Sequence, residues 1–149
     1  MISLLHHASF TVEDLDRSVA FYRDFLGMKL EGIWEREAPY AEDVTGIPGA
    51  RLRLAYFTLE NASFELVEYL EGKGQKIDAS PNNIGSAHVC FITGDFDGIV
   101  DRLGEWGGKI AGKTASVPAG ANRGKRVAYV QDPDGNTLEI ISAAVSPAE

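Results

Sequence analysis

Two histidines and two glutamates, His7, Glu65, His88 and Glu139, stand at matching places in the two halves of this 149-residue chain. Together they offer a metal ion two imidazole nitrogens and four carboxylate oxygens. Imidazole suits Fe, Co, Ni and Zn, whereas carboxylate suits harder ions, so the mixed set accepts several first-row divalent metals and leaves room for water or substrate. Taken one at a time, each reads more simply as a satisfied strand histidine or a solvent-facing glutamate. Four at mirrored positions argue for one metal site.

The mirroring comes from an internal repeat. His88-Val-Cys-Phe-Ile-Thr-Gly-Asp-Phe lies over His7-Ala-Ser-Phe-Thr-Val-Glu-Asp-Leu at an offset of 81, the distance from residue 7 to residue 88. The overlay matches the histidine, a phenylalanine and an aspartate, and the same offset sets Gly108 on Gly27. Glu139-Ile-Ile echoes Glu65-Leu-Val. From histidine to glutamate the first half takes 58 residues and the second 51, a difference that the segment from Trp34 to Gly49 can absorb.

The elements that must hold these four residues follow the same grammar twice. A strand is expected from about Ser3 to Val12. Next comes a helix capped by Asp14 or Asp16, with Leu15, Val19, Tyr22 and Leu26 at helical spacing and Gly27 as its stop. Trp34 to Gly49 reads as a long irregular connection. Leu52 to Leu59 and Phe64 to Tyr69 are strands joined at Glu60, Asn61 and Ala62. The polar stretch from Gly72 to Gly85 is a linker. Beyond it a strand begins at Ala87, and a second helix carries Phe96, Ile99, Val100, Leu103 and Trp106 and stops at Gly107 and Gly108. The last strands, Arg126 to Gln131 and Thr137 to Ser142, are joined by the turn Asp132-Pro-Asp-Gly135. The expectation is a single α+β domain of two βαβββ modules, residues 1–72 and 86–145, with 73–85 between them.

Alternation along strands places Ser9, Thr11, Val67, Tyr69, Cys90, Ile92 and Ile141 on the ligand face and turns His6 to the opposite one. Val67, Ile92 and Ile141 read as core, Trp34 and Trp106 as packing residues, and Cys90 as an inert buried hydrophobe. A phenol at Tyr69 or Tyr129 could orient a substrate oxygen. Asn122, Arg123, Lys125 and Arg126 read as a solvated loop that could meet an anionic substrate.

The chain resembles the vicinal oxygen chelate superfamily, the group of glyoxalases, epimerases, extradiol dioxygenases and bleomycin-resistance proteins. Two segments carry the resemblance, His7-Ala-Ser-Phe-Thr-Val-Glu-Asp-Leu-Asp-Arg-Ser-Val-Ala-Phe-Tyr-Arg-Asp-Phe-Leu-Gly27 and Tyr129-Val-Gln-Asp-Pro-Asp-Gly-Asn-Thr-Leu-Glu139. It implies a glyoxalase-like cupped half-barrel, often completed as a homodimer, with the metal ligands of glyoxalase I and methylmalonyl-CoA epimerase falling on His7, Glu65, His88 and Glu139. Val127 and Tyr129 resemble positions that line the family pocket, and with Ser9, Thr11, Tyr69 and Cys90 of the ligand face they are the expected walls of a small-molecule pocket. The chemistry implied is stabilisation of an enediolate by one divalent ion (Ni, Co, Zn, Mn or Fe), with Glu139 or Glu65 as the base, in an isomerase, epimerase or lyase.

Departures from the pattern narrow that reading. An arginine near Thr11 and an asparagine near Tyr69, associated with glutathione in the bacterial glyoxalase I type, are absent. Extradiol dioxygenases leave the Glu65 position without a ligand and use a further histidine, whereas the only other histidine here is His6, so a dioxygenase is disfavoured and stands as the alternative. Drug-binding members that work without metal typically lack the four ligands, which makes a non-catalytic binding protein the other alternative.

Composition bounds the remaining classes. With 44% hydrophobic and 24% charged residues, the sequence has a globular composition. A formal charge of −8 disfavours a nucleic-acid partner, because affinity for phosphates rests on clustered Lys and Arg. The lone Cys90 excludes an internal disulfide, and neither a signal peptide nor an apolar run near 18 residues is found, so a cytoplasmic protein without a membrane span is expected.

Overall fold

Asp14 opens the first helix by accepting a hydrogen bond from the Arg17 backbone N–H at 3.0 Å. The computed structural model describes residues 1–145, and the chain divides between Ile77 and Asp78 into two units. No helix among the described residues is long and apolar enough to cross a membrane.

The first unit runs β1 (His7–Thr11), α1 (Leu15–Ala20, continuing as a π-helix over Phe21–Phe25), β2 (Lys29–Arg36), α2 (Tyr40–Thr45), β3 (Arg51–Thr58) and β4 (Ser63–Glu71). Its sheet has the order β1-β4-β3-β2, with β1 parallel to β4 and the other pairs antiparallel. One face of that sheet packs against α1: Tyr22 meets Phe64 at 5.1 Å and Phe57 at 6.1 Å between ring centroids, and Phe10 meets Phe64 edge-on at 5.5 Å. Leu15, Phe21, Tyr22, Phe57, Phe64 and Leu66 are all buried there. The helical segment gives way before Gly27, whose φ of 74° only a glycine adopts at low cost.

The second unit runs β5 (His88–Thr93), α3 (Phe96–Arg102, finishing as a 3₁₀ turn over Leu103–Trp106), β6 (Lys109–Ile110), β7 (Ala115–Ser116), β8 (Lys125–Gln131) and β9 (Thr137–Val145). The order is β5-β9-β8-β6, with β7 also pairing β8. Phe96, Ile99 and Leu103 of the helical segment and Ala128, Val130, Leu138 and Ile140 of the strands are buried on one side of this sheet. The β8–β9 register is fixed by its turn. Buried Asp132 accepts from the backbone N–H of Asp134 at 2.9 Å and of Asn136 at 2.8 Å, closing an Asx turn.

Both units are mixed sheets with helices, the expected α+β class, but four details differ from the sequence reading. The first strand covers His7–Thr11 and not Ser3 to Val12, because its ladder begins where His7 faces Ser63. Trp34 to Gly49 is not irregular: Trp34, Glu35 and Arg36 extend β2 along Leu54, Arg53 and Leu52, and α2 follows. That helix has only six residues and one buried side chain, too short for a periodic signal, and it is held because buried Ala41 packs with Ala50 and Leu52. In the second unit the strand after the helix is broken into two-residue pieces, β6 and β7. Ile92, read as core, is 68% exposed, because it alternates onto the open face of β5 with His88 and Cys90.

Candidate metal centre and substrate face

Each unit builds the same arrangement on the face away from its core helix. In the first, parallel pairing sets Ser9 beside Glu65, and His7 lies two residues earlier on the same face. The His7 Nε2 and Glu65 Oε2 atoms are 3.5 Å apart. In the second, Cys90 pairs with Glu139, and His88 Nε2 lies 3.3 Å from Glu139 Oε2. Two ligands each about 2.1 Å from one ion, at angles from about 90° to 110°, stand about 3.0 to 3.4 Å apart. The His88–Glu139 separation falls inside that range, and the His7–Glu65 separation lies just beyond it. Among the described residues no group of three or more His, Cys, Asp or Glu side chains is gathered for a metal.

A tyrosine completes each pair, and the first of them escaped the sequence reading. Tyr56 on β3 stands opposite Glu65, and Tyr129 on β8 stands opposite Glu139. Burial, reinforced by a hydrogen bond to the Glu65 carboxylate, pushes the Tyr56 phenol up to about 12. Desolvation and then the Glu139 carboxylate raise Tyr129, whose hydroxyl is 3.4 Å from His88 Nε2. Both phenols thus remain hydrogen-bond donors at neutral pH. The usable signal was hairpin length: the β3–β4 loop has one residue fewer than the β8–β9 loop, which hides Tyr56 from a fixed repeat offset.

The two glutamates differ in setting. The Glu65 side chain is 11% exposed and bonded by Tyr56, whereas that of Glu139 is 24% exposed and borders a cavity of about 390 Å³ with Tyr129, Val127 and Lys113. Cys90 is exposed, not buried as expected, since its strand face carries no covering element within the unit. Desolvation and then Glu139 raise its thiol pKa, which keeps it protonated and a poor nucleophile.

The remaining expected pocket residues separate. Ser9 and Thr11 are exposed on β1, and Val127 and Tyr129 are half-buried on β8. Tyr69 packs with Leu54 and Val67 against the Ala41, Ala50 and Leu52 cluster. His6 is not turned away from His7. It precedes β1, so strand alternation does not govern it, and the two Nδ1 atoms are 2.8 Å apart. Arg126, expected in an anion-meeting loop, is paired with Asp97 and lies 4.5 Å from the Phe96 ring centroid.

The Glyoxalase/Bleomycin resistance protein/Dioxygenase superfamily matches residues 4–140. An ethylmalonyl-CoA/methylmalonyl-CoA epimerase of Cereibacter sphaeroides is 30% identical over 140 residues, which cover 91% of this chain and 93% of that protein. A lactoylglutathione lyase of Arabidopsis thaliana is 29% identical over 141 residues, 95% of this chain but 44% of that protein, so the chain spans less than half of that relative. A glyoxalase family protein from Bacillus cereus has the same fold, with a TM-score of 0.80 at 23% identity and 95% of both chains covered.

Proposed function

We propose a function from the premise that the chain belongs to the Glyoxalase/Bleomycin resistance protein/Dioxygenase superfamily: it is a metal-dependent lyase, isomerase or epimerase of a small vicinally oxygenated substrate. The observation that carries this reading is the pair of His–Glu contacts at 3.5 and 3.3 Å, repeated on equivalent strands of the two units. His7, Glu65, His88 and Glu139 would together hold one divalent ion of Ni, Co, Zn, Mn or Fe. When bound, that ion supplies Lewis-acid stabilisation to the oxyanion of an enediolate. Relatives named as a lactoylglutathione lyase and as an epimerase support the reaction class.

The protein's own residues divide the remaining work. Glu139, beside an open cavity, is the base: its carboxylate takes a proton from the carbon next to a substrate carbonyl and later returns it. Return to the neighbouring carbon is an isomerisation; an epimerisation needs a second acid, for which Glu65 is the candidate, to deliver a proton to the opposite face of the same carbon. Glu65, held by Tyr56, stays in place. Tyr129 offers its hydroxyl to a substrate oxygen, while Ser9, Thr11, Cys90 and Val127 border the substrate.

Glu139→Gln tests the assignment, since the amide oxygen can still coordinate but cannot accept the proton. Turnover is expected to fall about 10²- to 10⁴-fold while the metal content of protein purified without a nickel column stays near that of the parent. Equal loss of metal and rate would make Glu139 a structural ligand. An inactive Glu65→Gln beside an active Glu139→Gln would move the base to Glu65. Failure of the parent to take up any of the five metals would overturn the reading.

A further inference from the structure

Trp34 folds back over its own strand because residue 32 has no side chain: a Cβ at Gly32 would stand 2.8 and 2.9 Å from two carbons of the indole. Trp34 as a residue nevertheless remains 42% exposed. It meets Tyr56 edge-on at 5.9 Å between centroids, and Tyr56 meets His7 in the same way at 5.7 Å. Three rings therefore step outward from a metal-ligand position to the edge strand. Trp34 and Tyr56 border a trough of about 360 Å³ with Arg36, Phe57, Thr58 and Ser63, a size suited to a small organic molecule.

The charges along this trough favour an anion. The carboxylate of Glu31, which also borders it, is engaged by Lys29 at 2.9 Å. Arg36 donates to the Glu35 carbonyl oxygen at 2.8 Å and, among the described residues, meets no carboxylate. A guanidinium fork matches a carboxylate in two parallel hydrogen bonds, and an indole face beside a phenol ring prefers a flat π-system. We infer that this trough is a binding subsite for the planar, carboxylate-bearing part of the substrate, an aromatic or conjugated acid whose plane lies against Trp34 and whose carboxylate reaches Arg36. The inference rests on the proposed metal site only for the direction in which the reacting oxygens lie, toward His7.

Tryptophan emission reads the subsite without turnover. The full-length protein, metal-free and metal-loaded, is titrated with benzoate and phenylglyoxylate, with acetate and pyruvate as aliphatic controls and benzyl alcohol as a neutral one. The aryl carboxylates are expected to quench emission at concentrations at least tenfold below the controls. Trp34→Phe should abolish that quenching while Trp106 still reports a folded protein. Arg36→Gln should weaken the aryl carboxylates at least tenfold and leave benzyl alcohol unchanged.

Quenching by benzyl alcohol equal to that by benzoate, quenching that survives Trp34→Phe, or indifference to Arg36→Gln would overturn the subsite. So would the absence of quenching by any of these acids at millimolar concentration. Metal uptake measured on the same samples keeps the two readings apart. Quenching without metal uptake discards the metal site and leaves the subsite standing, and metal uptake without quenching does the reverse.

Discussion

Tyr56 stands directly across the antiparallel ladder from Glu65 and donates its phenol hydrogen bond to that carboxylate. A carboxylate has about four lone-pair sites, so a donor on one of them orients the group and leaves the rest for a cation. Tyr56→Phe removes the donor and keeps the ring that meets His7 and Trp34. Metal affinity, measured by competition with a chelator, is expected to fall about tenfold, the low end for partners that orient a metal ligand. An unchanged affinity would reduce Tyr56 to packing.

Arg53 of β3 holds Asp16 of α1 by two hydrogen bonds, at 2.9 and 3.1 Å, tying the helix to the sheet. The hydrogen bond from Arg53 lowers the Asp16 pKa below 3.8, partly opposed by desolvation. A depressed carboxylate stabilises the fold above its unfolded pKa, and that contribution is lost as pH falls through the lower folded value. Because Asp16 is largely solvent-exposed, the pair contributes no more than about 0.5 kcal/mol after screening. Asp16→Asn should therefore lower the urea midpoint slightly at pH 7 and low salt, with the difference from the parent vanishing at pH 2 and in 1 M salt. A difference that persists at pH 2 would assign the effect to packing.

What the sequence made legible was local chemistry. Asp14 caps a helix, and Gly27 and Gly107 take positive φ, because a cap or a left-handed turn depends on a few adjacent residues. The His–Glu pairs were legible through the repeat, since parallel pairing of the first and last strand of each unit recurs. Tyr56 was not, because its position opposite Glu65 depends on the length of a hairpin loop. Nor was α2, whose six residues are held by burial of Ala41 and not by their own periodicity. The exposure of Ile92 and Cys90 was equally hidden, because alternation assigns a residue to a face without saying what covers that face.

His6 reaches the ring nitrogen of His7 that faces away from Glu65, Nδ1 to Nδ1 at 2.8 Å. One of the two must donate. If His7 keeps Nε2 free for a metal, its Nδ1 carries the proton and His6 accepts it, which fixes the tautomer and ring orientation of a ligand. His6→Phe is expected to weaken metal binding several-fold, whereas His6→Asn, whose amide oxygen can accept the same proton, should recover most of the loss. Nitrogen NMR of His7 provides the direct readout: the Nδ1-protonated tautomer should dominate in the parent and in His6→Asn. A mixture of tautomers in the parent would refute the arrangement.

Under the proposed function each unit would supply one histidine and one glutamate, half of a four-donor set. We expect the protein to be a homodimer, with apolar side chains such as Ile33 and Ile92, both exposed on the isolated chain, partly covered on pairing. Light scattering at micromolar concentration should give twice the 16.1 kDa chain mass, and a mass near that of one chain would refute the dimer. Mixing His7→Ala with Glu139→Ala chains then asks whose donors meet. If the two halves of a centre come from different chains, the mixed dimer contains one centre missing both altered residues and one with its full set, and part of the metal uptake returns. If each chain builds its own centre, every centre in the mixed dimer lacks one ligand, and mixing restores nothing even when mass spectrometry shows that the heterodimer has formed.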